Sequence, residues 1–64
     1  MLLHFTDATS NQTVAINPVQ VICVFTNKDE KTGQEVTVVN TLSGNVALSD
    51  GYLDVVGRIN GALN

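Results

Sequence analysis

The covalent and metal supports that stabilise many very small domains are missing from this chain of 64 residues. Its single cysteine, Cys23, cannot form an intramolecular disulfide, and one cysteine with one histidine cannot build a structural zinc site. A domain of this size buries only about 60% of the surface of its unfolded chain, so its stability is marginal without further support. We therefore expect the subunits to support one another by association.

Charge is also scarce, and the little that is present is mostly acidic. Charged residues make up 14% of the chain, against an average of about 25%, and the formal net charge is −3. The only cations are Lys28, Lys31 and Arg58. Because phosphate repels an acidic chain, the composition disfavours a broad nucleic-acid-binding face, although a local cluster could still act within a ring of subunits.

Signals for membrane insertion or export are absent from the residues. No apolar run is long enough to cross a bilayer, and Met1 leads into residues 2–5 without a basic region or a small-residue cleavage site. We expect a cytoplasmic protein without a membrane partner, in which Cys23 stays reduced.

Catalytic and cofactor motifs are equally scarce. His4 and Cys23 form the only ready combination of base and nucleophile, and a thiol in the middle of an apolar strand is expected to be buried and inert. Asp29 and Glu30 are adjacent carboxylates without the further oxygen ligands that calcium needs. The sequence predicts no enzyme activity, no catalytic residue, no cofactor and no metal site.

The feature that stands out is an apolar run of five residues, Val21, Ile22, Cys23, Val24 and Phe25. Because side chains alternate along a strand, Val21, Cys23 and Phe25 are predicted on one face, and Ile22 and Val24 on the other. One face can line a small core, and the other needs cover. We predict that this strand organises both the core and the oligomer interface.

Alternating apolar residues separated by polar turns predict five short strands within one domain, residues 1–64. Polar clusters at residues 9–12 and 27–34 mark two of the turns, and Pro18 ends ladder pairing because it lacks an N–H group. The strands are predicted at about residues 2–7, 13–17, 20–27, 34–42 and 45–48.

A change of period from two to 3.6 after Leu48 predicts a C-terminal helix over about residues 50–62. Ser49 or Asp50 is expected to cap its N-terminus. Arg58 lies off the apolar stripe, where it could bind an anion or a partner carboxylate, or simply be solvated. The stripe itself consists of Tyr52, Val55, Val56, Ile59, Ala62 and Leu63.

The order of short strands and tight turns resembles the Sm-like proteins. Residues 42–48 are similar to the second Sm signature in their Leu, Gly and Val positions, but Ser43 stands where that family has a basic residue that helps to hold RNA. The first Sm signature has no match around residues 16–18, and the helix follows the strands, whereas the family usually has it first.

This resemblance implies a mainly β fold, a small, strongly bent, five-stranded Sm/SH3-like barrel with one C-terminal α-helix. It also implies a homo-oligomeric ring closed by edge strands, of the divergent kind found in phage and environmental Sm-like proteins. The RNA or ligand site would then lie at Ser43, Gly44 and Asn45.

A second resemblance is to the short flagellar and swarming-motility proteins of bacteria. It is carried by Ile16-Asn17-Pro18, by Gly44, and by residues 54–56 with Ile59, although residues 27–34 form a longer loop than that family has. The sequence thus favours a non-enzymatic, ring-forming binding or scaffold module. The alternatives are a single-stranded RNA-binding Sm-like protein and a flagellar or motility accessory protein.

Overall fold

The computed structural model describes all residues, Met1–Asn64, as a mainly β chain with one C-terminal helix, which confirms the predicted class. Every observed strand bound lies within one residue of the prediction, and the helix bounds lie within two. The elements are β1 (Leu3–Thr6), β2 (Thr13–Ile16), β3 (Val21–Lys28), β4 (Glu35–Thr41), β5 (Gly44–Leu48) and α1 (Tyr52–Leu63).

The strands form two antiparallel sheets, β1–β2 and β3–β4–β5. The sheets meet on one side only, through an isolated bridge between Asp7 and Leu48. Two backbone hydrogen bonds of 2.9 Å flank this bridge, from the Ala8 N–H to the Ala47 carbonyl and from the Ser49 N–H to the Thr6 carbonyl. The end of β1 therefore occupies part of the outer edge of β5.

The predicted closed barrel is not formed, because β2 and β3 do not pair. A 3₁₀ turn at Pro18–Gln20 separates these two strands, and Pro18 has no N–H group to donate to a ladder. Helix α1 packs against this turn and against β1, β3 and β4. The helix thus covers the core where the sheet stays open.

The core lies between the two sheets and the helix. On β3–β4–β5, Val24, Val39 and Val46 stand side by side in register and face this core. We call this side of the three-stranded sheet the inner face. The buried core cluster consists of Phe5, Ile16, Val39, Leu48, Val55 and Ile59.

Helix α1 buries only the middle of its predicted stripe, since Val55 and Ile59 are buried while Tyr52 and Leu63 are exposed. Its N-cap is Gly51, with no capping side chain, so the predicted cap is wrong. The helix has 12 residues, fewer than a helix needs to cross a bilayer.

Asp50, one of the two predicted caps, joins the two sheets instead of capping the helix. Its Oδ1 accepts a hydrogen bond of 2.7 Å from the Thr6 N–H, and its carbonyl accepts one of 2.7 Å from the Thr37 hydroxyl. Both partners lie on strands, so the segment before α1 is held by tertiary contacts. This use of the carboxylate explains why it does not reach the first turn of the helix.

The predicted division of the apolar run between two faces is also wrong, because β3 contains a β-bulge. Val21 pairs with Thr41 but Cys23 pairs with Asn40, which leaves Ile22 as an extra residue on β3. An extra residue reverses the alternation beyond it. Val21 therefore packs against the core, as Val24 does, and Ile22 is exposed.

Candidate interaction surface

The side of β3–β4–β5 that points away from the core, here called the outer face, carries apolar side chains with nothing packed over them. The ladder register aligns Phe25, Val38 and Ala47 in one row across the three strands. Val38 is only 8% exposed, yet it does not belong to the core cluster. It lies between Phe25 and Ala47 in this row.

The outer face exposes most of its apolar surface along β3. Phe25 is 43% exposed and Cys23 is exposed, and Ile22, the unpaired residue of the neighbouring bulge, is 61% exposed. Contiguous apolar surface of this kind is typical of an interaction site. The expectation that Cys23 is buried is therefore wrong, because the bulge and the lack of cover leave its side of the strand open.

The backbone of β3 is also unpaired along the edge opposite β4, since β3 is an end strand of its sheet. Hydrogen-bonding groups of successive strand residues point to alternate sides. The Asp29 N–H donates to the Gln34 carbonyl at 2.8 Å, so the backbone of Asp29 is bonded towards the β4 side. Because the register is regular from Lys28 back to Cys23, every second residue before Asp29, including Phe25, is also bonded towards β4. Val24 and Thr26 consequently direct their N–H and C=O groups towards the free edge.

The other sheet edges are better protected. Strand β2 has four residues and is followed by Asn17 and Pro18, which limits pairing along its free side. The outer edge of β5 is partly occupied by the end of β1. Strand β3, with eight residues, is therefore the longest unpaired edge of the molecule.

An open cavity of about 670 Å³ continues the outer face towards the β3–β4 loop. Both signs of charge lie at its margin, where Lys28 and Glu35 are ladder partners. No group of three or more His, Cys, Asp or Glu side chains in the molecule is placed to hold a metal ion. The residues lining the cavity include Ala8, Thr9, Asn27, Thr32, Val36 and Ala47.

The β3–β4 loop itself is exposed, as predicted from its polar residues, and it is held by its own backbone. The Asp29 carboxylate accepts from the Lys31 N–H at 2.9 Å, and the Asp29 carbonyl accepts from the Gly33 N–H at 2.7 Å. Gly33 has a φ of 73°, which favours glycine. The carboxylate of Asp29 therefore shapes the loop.

The predicted ligand residues Ser43, Gly44 and Asn45 are exposed at the β4–β5 turn. The Thr41 hydroxyl donates to the Gly44 carbonyl at 2.9 Å and accepts from the Ser43 N–H at 3.2 Å. These bonds form a compact turn, with Gly44 at a φ of 130°. The two bonds fix the shape of the turn and leave the exposed Ser43 hydroxyl and Asn45 amide without a partner in the chain.

The lysines are remote from this turn. Val21 pairs with Thr41 at the turn end of the β3–β4 ladder, whereas Lys28 pairs with Glu35 at the other end. Seven residues of strand separate the two ends, a length of roughly 23 Å. The turn therefore has no nearby lysine to contact a phosphate.

Arg58 is neither solvated alone nor free for an anion. Its guanidinium lies 4.4 Å from the centre of the Phe5 ring and donates a hydrogen bond of 2.8 Å to the His4 carbonyl. Asp54, one helical turn earlier, lies 3.7 Å from the guanidinium. Arg58 thus ties α1 to β1, a role that the sequence pattern did not predict.

The structure separates some of the predicted site residues and adds others. His4 lies on β1 and Cys23 on β3, in different sheets. Val38 and Ala47, which complete the outer-face row with Phe25, were not among the predicted site residues. The sequence showed that apolar residues alternate along these strands, but it did not show which face of the sheet would stay uncovered.

Comparisons with protein-family models, curated proteins and solved structures found no match.

Proposed function

We propose that this chain is a non-enzymatic, self-associating binding or scaffold module of the cytoplasm, whose working surface is made by assembly. One observation carries the proposal: β3 combines a free backbone edge with an uncovered apolar side. Unpaired N–H and C=O groups beside apolar side chains form a template for pairing with another chain. The same strand can thus satisfy its backbone and cover its apolar surface in one contact.

The small core supports association as well. Only nine of 64 residues are buried, so the isolated subunit excludes little of its apolar surface from water. An interface of ordinary size removes about 800 Å² per partner, a little over half of it apolar. At about 25 cal/mol per Å², this contributes on the order of 10 kcal/mol per partner, before the entropy of association is subtracted.

Two further arrangements follow from the Sm resemblance, and both have weaker support. A ring would have to join β3 of one subunit to a second edge of the next, and the remaining edges are short or partly occupied. Single-stranded RNA binding at Ser43, Gly44 and Asn45 would lack a nearby lysine. For the motility accessory role, the outer face would supply the docking surface.

The test of self-association is the native mass of the chain at micromolar concentration, measured by light scattering. We expect a mass of at least twice the 6.8 kDa of one subunit. Phe25→Ser should shift the population to monomer, because it removes the exposed aromatic side chain of the interface strand. A compact, stably folded wild-type monomer would contradict the proposal.

Leu53→Ser is the matched control, because Leu53 is 82% exposed on α1, on a different element from the proposed interface. This variant loses more exposed apolar surface than Phe25→Ser but should keep the wild-type mass. RNA binding is tested in parallel with a short single-stranded oligonucleotide at low salt, where phosphate attraction is strongest. Tight, salt-sensitive binding that Ser43→Asp weakens would favour the RNA alternative.

A further inference from the structure

We infer that two copies of the chain pair through their β3 strands, antiparallel about a twofold axis at Phe25, and so form one continuous six-stranded sheet. This inference rests on the proposed self-association and specifies its geometry. The partner is a second copy of the same chain. Three properties of β3 favour this geometry: the features that protect its two ends, the direction of its backbone groups, and the charges along it.

The two ends of β3 carry features of their own that resist pairing, and its middle does not; Tyr52 of α1 lies beside this middle segment, where it lines an open hollow with Val24, Phe25 and Thr26. A bulge at Ile22 disturbs the backbone at one end, and Lys28 places a charge at the other. Bulges and lysines are two devices by which edge strands resist association. Residues 23–27 lie between them without a charge, a proline or a bulge. Phe25 is the centre of this unprotected segment.

The backbone groups of this segment are self-complementary about Phe25. Val24 and Thr26 point their N–H and C=O groups to the free edge, whereas Phe25 is bonded towards β4. A twofold axis at Phe25 places Val24 of each copy opposite Thr26 of the other. Each such pair exchanges two N–H···O bonds, so the contact would form four backbone hydrogen bonds.

The Phe25 side chains of the two copies meet on the outer face in this register. The two Phe25 side chains oppose each other at a pair without hydrogen bonds, where side chains approach most closely. Cys23 of each copy lies opposite Asn27 of the other. The exposed aromatic ring of Phe25, 43% exposed in the single chain, thus gains an aromatic neighbour.

Charge also favours this register over its neighbours. The two Lys28 side chains would lie six residues apart along the strands, roughly 20 Å, so they would not repel each other strongly. An axis at Thr26 would place each Lys28 beside the part-buried Val24 of the other copy. An axis at Val24 would form only two undisturbed hydrogen bonds, because the next pair falls on the bulge at Ile22.

Disulfide trapping tests the register directly. Opposed residues at a pair without hydrogen bonds have Cα atoms about 4.5 Å apart, which is within the range of a disulfide. Phe25→Cys in a Cys23→Ser background should therefore still give a covalent dimer of twice 6.8 kDa on mild oxidation, because the disulfide traps the contact even though loss of the aromatic ring weakens it. Asn27→Cys with the native Cys23 should do the same, through two disulfides that leave Phe25 intact.

Two controls each contain only one of the two cysteines, so neither has a thiol opposite it in the other copy. Wild-type Cys23 should not cross-link, because the two thiols would be four residues apart, roughly 13 Å. Asn27→Cys in the Cys23→Ser background should also stay uncross-linked. Both introduced cysteines replace exposed residues, and circular dichroism of the reduced variants checks that the fold is kept.

The outcomes separate this inference from the proposed function. If wild type self-associates but Asn27→Cys with native Cys23 gives no covalent dimer, the register is wrong while self-association stands. Efficient cross-linking of wild-type Cys23, or a native mass above that of a dimer, would likewise overturn the twofold contact at Phe25. A monomeric wild type would overturn both the contact and the proposed function.

Discussion

The two faces of the β3–β4–β5 sheet are made from similar residues but have different surroundings. Val39 and Val38 are neighbours on β4, and both are buried, at 0% and 8% exposure. Val39 belongs to the core cluster beneath α1 and β1–β2, whereas Val38 lies outside that cluster, in the outer-face row with Phe25 and Ala47. Low exposure alone therefore does not identify the core of so small a protein; the element that covers a residue does.

The largest effect that we expect distinguishes these two valines. Val39→Ala should lower the free energy of unfolding by about 2–3 kcal/mol, because it leaves a cavity in the buried core cluster. Val38→Ala should lower it by about 1 kcal/mol, since its site can be filled by solvent and by neighbouring side chains. Urea denaturation of both variants measures the difference, and equal losses would show that the two faces are equivalent.

The bulge allows a second test of the same comparison, at adjacent residues of β3. Val21→Asn should destabilise the protein by about 1–2 kcal/mol, because it places an amide against the core. Ile22→Asn should change the stability by less than about 0.5 kcal/mol in the monomer, because Ile22 is exposed. Thermal unfolding at low concentration compares them, and a larger loss for Ile22→Asn would mean that β3 has no bulge.

Arg58 covers Phe5 at the border of the core, and the outer face has no equivalent side chain. Arg58→Met keeps much of the aliphatic length but loses the hydrogen bond to the His4 carbonyl and the cation–π contact, so we expect a loss of about 1 kcal/mol. Arg58→Lys is the control, because it keeps the charge without the fork geometry. A loss with Arg58→Met no greater than with Asp54→Ala would assign the effect to the exposed ion pair alone.

The smallest effect that we expect concerns the β1–β2 turn, which helps to position the cover of the inner face. The Ser10 hydroxyl donates to the Asp7 carboxylate at 2.7 Å and lowers the pKa of Asp7 below its ordinary value of 3.8. The Ser10 N–H donates at 2.9 Å and acts in the same direction. A carboxylate whose pKa is lowered by folding stabilises the fold above its ordinary pKa, and this contribution is lost as the pH falls through the lowered value.

Wild type should consequently lose stability as the pH falls below about 4, and Asp7→Asn should lose less over the same interval. The effect is small because Asp7 titrates in contact with solvent. Melting temperatures of the two proteins between neutral pH and about pH 2.5 measure it. Identical pH dependence would show that the ionised form of Asp7 does not hold the turn.

Local patterns were enough to predict the elements of this fold. The alternation of apolar residues located all five strands to within one residue, because a strand that covers a core on one side needs that period. The period of 3.6 after Leu48 located α1 for the same reason. The cap of α1 was predicted incorrectly, because Asp50 accepts from Thr6, a residue distant in sequence.

The candidate surface could be predicted only in part. The run of residues 21–25 predicted a strand with apolar side chains on both sides, and this strand does carry exposed apolar side chains. Its alternation was predicted incorrectly, because a run that is apolar at every position looks the same with or without an extra residue. Arg58 was likewise readable as an exposed cation, but not as the partner of Phe5.

The sequence by itself therefore determined which segments are strands and helix, and that one strand is apolar on both sides, because these properties depend on neighbours along the chain. Tertiary structure alone decided the bulge at Ile22, the open seam between β2 and β3, and the free edge of β3. These features depend on which strands meet and in which register. Strand pairing involves segments that are distant in sequence. The two-residue alternation within each segment is the same whether or not the segment pairs, so it does not reveal the partner.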